Sequence, residues 1–142
     1  MAYAVKADVE NRLTTPKLVD LTDFEEVGIV NDARVTNAIA AATGVIDAYA
    51  AGRYALPLAS SAQVTDMCVD LAIYKLYVGR QRAIPEVVQA GYDNAMKFLK
   101  DVSAGNASLA QAATPQTSDM DVVTRDHETD PETFDENKLE SF

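Results

Sequence analysis

Apolar positions recur with helical spacing through the middle of the chain. Between Asn31 and Gly52 they are separated by three or four residues, as on one face of a helix: Val35, Ala38, Ile39, Ala42, Ile46 and Tyr49. Asn31 is a residue type that caps helix N-termini, and Gly52 is typical of a helix end. This pattern predicts an amphipathic helix that buries one face.

Residues 62–78 are apolar on two faces. The first face carries Val64, Met67, Cys68, Leu71, Tyr74 and Val78, and the second carries Val69, Ile73 and Leu76. A helix that is apolar on two faces packs between neighbours, so this segment is predicted to be the central helix.

The flanking segments complete a helical pattern. Pro85 is predicted in the first turn of a last helix, which Gly105 ends. Pro16 divides residues 4–21 into two short helical pieces. Together these segments predict an all-α fold, a compact bundle of about four helices.

The pattern changes after residue 109. Residues 1–110 contain 13 acidic and 10 basic residues, whereas residues 111–142 contain 9 acidic and 2 basic ones, which together give the net charge of -10. We therefore expect a helical domain at 1–109 and an extended acidic C-terminal arm at 110–142. Widely spaced apolar residues could anchor this arm in successive pockets of a partner: Met120, Val122, Val123, Phe134, Leu139 and Phe142. A purely solubilising tail is the open alternative.

Charge and composition disfavour several classes of protein. Specific nucleic-acid binding relies on clustered Lys and Arg, which this acidic chain lacks. The longest weakly polar run, residues 38–51, is shorter than the roughly 20 residues of a spanning helix, and the charged start is unlike a signal peptide. We expect no membrane role and no secretion. Cys68 is the single cysteine, so an internal disulfide is excluded and a small core residue is expected.

The sequence offers little for catalysis or cofactor binding. His127, the single histidine, lies in the acidic arm, and no glycine-rich phosphate loop or paired-histidine motif occurs. Alternating carboxylates at residues 126–132 resemble the start of a calcium loop, but Pro131 replaces the turn glycine and Asn137 replaces the final Glu. We therefore expect no enzyme activity, no cofactor and no specific metal site.

Asp70 lies within the predicted central helix, where a carboxylate would be partly buried and would need a cation. Arg53, Arg80 and Arg82 are the candidate partners, in the same subunit or across an interface. A structural salt bridge is favoured over a catalytic acid, because ion pairs are the commoner role of such groups.

Three stretches carry a family resemblance. They read Asp47-Ala-Tyr-Ala-Ala-Gly-Arg-Tyr-Ala-Leu-Pro-Leu, Asp70-Leu-Ala-Ile-Tyr-Lys-Leu-Tyr and Tyr92-Asp-Asn-Ala-Met-Lys-Phe-Leu, followed by Gly105 and Leu109. In order and spacing, roughly over residues 2–109, they resemble the small head-tail adaptor proteins of Mu-like phages and prophages.

This resemblance implies a four-helix-type connector domain in a symmetric ring of about a dozen copies beneath the capsid portal, in the neck of the virion. The implied partners are other copies of the chain, the portal protein and a tail or stopper protein, with DNA passing through the ring and assembly in the host cytoplasm. Candidate subunit-interface residues are Arg53, Tyr54, Leu56, Pro57, Leu58 and Asp70. The apolar residues of the arm are the candidate portal-binding residues.

Two alternatives stay open at this point. A small helical regulatory or inhibitory protein could use its acidic tail to mimic nucleic acid and occupy a basic partner. A hydrolase or metal enzyme using Asp70 with carboxylates of the tail is a remoter alternative, because its set of ligands is poor.

Overall fold

The computed structural model describes residues 2–111, which form five helices. In chain order they are α1 (Lys6–Arg12), α2 (Thr15–Thr22), α3 (Asp32–Ala50), α4 (Ala62–Arg80) and α5 (Glu86–Ala104). The described residues contain no strand. The all-α class is thus confirmed. Residues 2–111 form five helices where about four were predicted, because the two short pieces predicted over residues 4–21 are separate helices, α1 and α2, on either side of Leu13 and Thr14.

Helix α4 is the central element, as predicted. It packs against each of the other four helices, while α3 and α5 also contact each other and α1 and α2 also contact α3. Its buried side chains lie on both predicted faces: Val64, Met67, Cys68, Leu71, Val69, Ile73 and Leu76. Val78, predicted on the first face, is instead 49% exposed. Because each fully buried aliphatic side chain contributes roughly 1.5–3 kcal/mol, α4 supplies much of the stability of the bundle.

The helix ends follow local sequence signals. Asn31 and Ser61 cap α3 and α4, since the side-chain oxygen of each accepts a hydrogen bond at 3.2 Å from the backbone N–H three residues later. Gly105 ends α5 with a φ of +88°, which favours glycine. Pro85, predicted inside the first turn of α5, precedes that helix as its cap residue.

The loops divide between the two ends of the bundle. The connections from α3 to α4 and from α4 to α5 reverse the chain direction, so α4 runs antiparallel to both α3 and α5. The α3–α4 loop, residues 51–61, and the segment after α5, residues 105–111, therefore meet at the same end, which we call the loop end. The α2–α3 loop, residues 23–31, lies at the opposite end.

None of the helices formed by residues 2–111 is long and apolar enough to cross a bilayer. The predicted acidic arm lies outside the described residues from position 112 onward. The boundary between domain and arm therefore stays a prediction.

Candidate subunit-interface site

The predicted interface loop, residues 53–58, is held at the loop end by buried side chains. Tyr54 is 3% exposed, and its hydroxyl accepts a hydrogen bond at 2.9 Å from the backbone N–H of Leu109. Leu58 is buried as well. Both side chains support the loop from inside the subunit, and their predicted role at a subunit interface stays untested.

Arg53 lies against the C-terminal end of α5. A Cβ added to Gly105 would collide with the Arg53 guanidinium, so this cation fills the space that the glycine leaves open. Carbonyl groups at a helix C-terminus attract cations, typically by about 0.3–1 kcal/mol. Arg53 and Tyr54 thus fix the segment that follows α5 to the α3–α4 loop.

Tyr3 joins the same loop to two helices. Its hydroxyl donates a hydrogen bond to the Asp47 carboxylate and accepts one at 3.0 Å from the backbone N–H of Leu58. Its carbonyl accepts a hydrogen bond from the Thr65 hydroxyl, also at 3.0 Å. Burial and the bond to Asp47 raise the pKa of the Tyr3 phenol. No periodic signal marks Tyr3, because it precedes the first helix.

The chain leaves the described region beside this loop. The side-chain oxygen of Gln111 accepts a hydrogen bond from the backbone N–H of Ala59. The root of the predicted arm therefore lies at the loop end, next to the candidate interface residues.

Two candidate residues of the predicted interface loop face solvent. Leu56 is 43% exposed, and Pro57, which follows it through a cis peptide bond, is also exposed. An aliphatic side chain presented by a fixed loop suits a protein interface, because little conformational entropy is lost on binding.

A second loop, which is also held by hydrogen bonds within the subunit, exposes apolar side chains at the opposite end of the bundle. Val27 and Ile29 are 66% and 65% exposed in the α2–α3 loop. The Asp23 carboxylate accepts hydrogen bonds from the backbone N–H groups of Val27 and Gly28, at 3.0 and 2.6 Å. These bonds hold the pKa of Asp23 below its usual value. No sequence pattern marks this surface, because these residues belong to no helical stripe.

The salt-bridge partner of Asp70 differs from the predicted ones. Its carboxylate lies 2.5 Å from Nη1 of Arg12, a residue of α1. The predicted pairing with Arg53, Arg80 or Arg82 within the subunit is wrong. Arg80 and Arg82 lie at least ten residues further on, about 15 Å along the helix axis, and Arg53 lies against the end of α5. The carboxylate is thus paired inside the subunit.

The remaining candidates for chemistry give no assembled site within the described chain. Cys68 is fully buried, as expected of a core residue, and burial raises the pKa of its thiol. Residues 2–111 contain no group of three His, Cys, Asp or Glu side chains that could hold a metal ion. His127 and the carboxylates of residues 126–132 lie outside the described residues.

The candidate portal-binding residues also lie outside the described chain: Met120, Val122, Val123, Phe134, Leu139 and Phe142. Sequence comparison nevertheless reaches some of them. A family model described as Bacteriophage Mu, Gp36 matches residues 3–125, which extends past the roughly 2–109 on which the resemblance rests. The match includes Met120, Val122 and Val123 and ends before the last three.

A known relative matches this chain over a similar length. The Mu-like prophage FluMu protein gp36 of Haemophilus influenzae is 29% identical over 116 residues, which cover 81% of this chain and 80% of the relative. Since the family model matches most of the chain, the protein belongs to the Bacteriophage Mu Gp36 family and is a Mu-like phage protein.

Proposed function

We propose that this protein is a structural protein of the phage particle, a head-tail adaptor. It forms a ring beneath the capsid portal, in the neck of the virion, and joins the portal to the tail while DNA passes through. The observation that carries this proposal is the family match over residues 3–125. The resemblance of residues 47–58 to head-tail adaptor proteins supports the adaptor role in particular.

The exposed loops support a ring because a closed ring of identical subunits needs two different faces on each copy. Leu56 and Pro57 offer one face at the loop end, and Val27 and Ile29 offer another at the opposite end. Hydrogen bonds within the subunit hold both loops in shape, so binding costs little additional ordering.

The charge of the chain suits passage of DNA. A net charge of -10 repels phosphates, so a ring of such subunits guides the duplex without binding it. The protein performs no catalysis in this role and needs no cofactor.

Mixing with the purified portal protein of the same phage tests the proposal. We expect a complex that co-sediments and shows a ring beneath the portal by electron microscopy. A portal that never retains the protein, under any salt condition, would overturn the adaptor role. Salt-sensitive capture of a DNA-binding protein instead would favour the regulatory alternative.

A matched pair of variants tests the interface loop. Leu56→Asp places a charge on the loop, whereas Val87→Asp makes the same type of change at an 83% exposed position at the start of α5. We expect Leu56→Asp to weaken ring formation by roughly ten-fold or more, as at an interface hot spot, and Val87→Asp to have little effect. Equal effects of the two variants would show that Leu56 does not lie at the subunit interface. Portal binding is tested independently by the mixing experiment.

The arm is expected to bind the portal through its apolar residues. Changing Phe134, Leu139 and Phe142 together to Ser keeps the charge of the arm and removes large anchors. Portal binding should weaken, because identical arms in a ring add their contributions through effective concentration. Unchanged binding of the triple variant would show that these residues are not anchors.

A further inference from the structure

A pocket of about 290 Å³ lies between the end of α2 and the sides of α3 and α4, on the half of the bundle away from the loop end. Apolar side chains form much of its wall, including Leu21, Phe24 and Leu76. The charged side chains that line it are Arg34 and Lys75, and no carboxylate from the described residues lines it. The charged groups that line the pocket are therefore both cations, in a protein whose net charge is -10.

The cations around this pocket are only partly neutralised. The Arg34 guanidinium lies 3.6 Å from the centroid of the Phe24 ring, and the Arg80 guanidinium lies 4.6 Å from it. Arg34 pairs with Glu25 through Nη2 at 3.1 Å, but its Nε is buried without a hydrogen-bond partner in residues 2–111. Half-buried Lys75 forms no ion pair within the described chain.

We propose that this pocket binds the acidic arm of the same chain through residues 119–123, which read Asp-Met-Asp-Val-Val. These residues lie outside the described region. The carboxylates of Asp119 and Asp121 suit Lys75, which lines the pocket without an ion pair in the described chain, while the aliphatic side chains suit the apolar wall. In the free subunit, the contact holds the start of the arm against the bundle until a partner competes for it.

The length of the connecting chain fits this docking. Gln111, the last described residue, lies at the loop end, where its side chain accepts a hydrogen bond from the backbone N–H of Ala59. The pocket-lining Ala38 lies twelve residues before Ala50 in α3, or about 18 Å along the axis. Asp119 follows Gln111 by eight positions, a stretch that spans at most about 26–29 Å when extended. The extended length therefore exceeds the distance to the pocket along the helix axis.

The tether favours the arm of the same subunit over that of a second copy. A short covalent connection gives an effective concentration of about a millimolar, which exceeds the micromolar protein concentration of a dilute sample. The inference is independent of the adaptor role, because it concerns the free subunit without a portal.

Zero-length cross-linking of the full chain with a carbodiimide tests the contact. The reagent condenses a lysine Nζ with a carboxylate to form an amide with loss of water. We expect Lys75 to link to Asp119 or Asp121 with a yield roughly five-fold above that of exposed Lys97, as follows from the high local concentration of a docked arm. Equal yields at the two lysines would overturn the proposal.

Isotope mixing identifies which copy supplies the arm. When ¹⁴N-labelled and ¹⁵N-labelled protein are mixed before cross-linking, docking within one chain joins only peptides that carry the same label. Linked peptides with randomly mixed labels would overturn docking within one chain and assign the pocket to the arm of a second copy.

Amide NMR of full-length variants gives a second test in which the folded domain is left unchanged. Asp119→Asn with Asp121→Asn should shift the resonances of Asn37 and Gly79, which line the pocket. The control, Asp130→Asn with Glu132→Gln, removes the same charge further along the arm and should leave them in place. Pocket resonances that respond to neither variant, or equally to both, would contradict the assignment. Neither result bears on portal binding.

Discussion

Replacing Tyr54 by Phe removes one oxygen atom from the interior of the loop end. That hydroxyl accepts the backbone N–H of Leu109 at 2.9 Å, and the two residues are only 3% and 5% exposed. The variant keeps the aromatic ring but leaves a buried N–H without an acceptor, which costs about 1–3 kcal/mol. We expect the free energy of unfolding to fall by this amount. The melting temperature should fall by roughly 4 °C for each kcal/mol.

Tyr49→Phe is the matched control for this change. Tyr49 is half-buried, and within the described chain its hydroxyl has no hydrogen-bond partner, so the same deletion should cost less than about 0.5 kcal/mol. Urea denaturation followed by far-UV circular dichroism measures both variants. Hydrogen exchange at the Leu109 amide should accelerate in Tyr54→Phe alone. Equal stability of the two variants, with unchanged exchange at Leu109, would refute the role assigned to the Tyr54 hydroxyl.

Three further changes test other parts of the bundle. Gly105→Ala should destabilise the domain by about 1–2 kcal/mol, because alanine is strained at a φ of +88°. Urea titrations should show that Gly105→Ala lowers the free energy of unfolding less in an Arg53→Ala background, because the guanidinium that would collide with the added Cβ is absent. Gly44→Ala should raise the free energy of unfolding by about 0.5–1 kcal/mol, because the site is helical and open. The folded pKa of Asp23 is depressed, so its stabilisation is complete above its ordinary value of 3.8 and is lost as pH falls through the folded pKa. The stability gap between wild type and Asp23→Asn, measured in urea at about pH 7 and about pH 2.5, should therefore shrink at the lower pH.

The long helices were predictable because their signals are local and repeated. Apolar spacing identified α3 and α4, Pro85 and Gly105 marked the limits of α5, and the two apolar faces of α4 identified the central element. Residues that begin or end helices, such as Asn31 and Gly105, lie at the helix ends themselves. The positions of these ends can therefore be predicted from the neighbouring sequence alone.

Contacts between distant residues could not be predicted in the same way. Arg12 and Asp70 are 58 positions apart, and nothing local distinguishes Arg12 from the other arginines as the partner. Tyr3 and Leu58 are 55 positions apart, and their hydrogen bond exists only once the α3–α4 loop is folded. Such pairs depend on how the helices are placed relative to one another, which periodicity does not specify.

In the candidate interface loop, the sequence identified the segment but did not predict which of its side chains are buried. The element Arg-Tyr-Ala-Leu-Pro-Leu at residues 53–58 identified a distinctive segment, but not the direction of each side chain. Tyr54 and Leu58 turn inward, whereas Leu56 and Pro57 face solvent. The residue pattern cannot separate these directions, because a loop has no fixed period.

The adaptor role is tested most directly by cryo-electron microscopy of the neck of purified particles from a phage that encodes this protein. We expect a closed ring of this protein between portal and tail, with Leu56 at the contact between neighbouring copies. Particles that lack the protein, or that carry it only at a position without portal contact, would exclude the adaptor role.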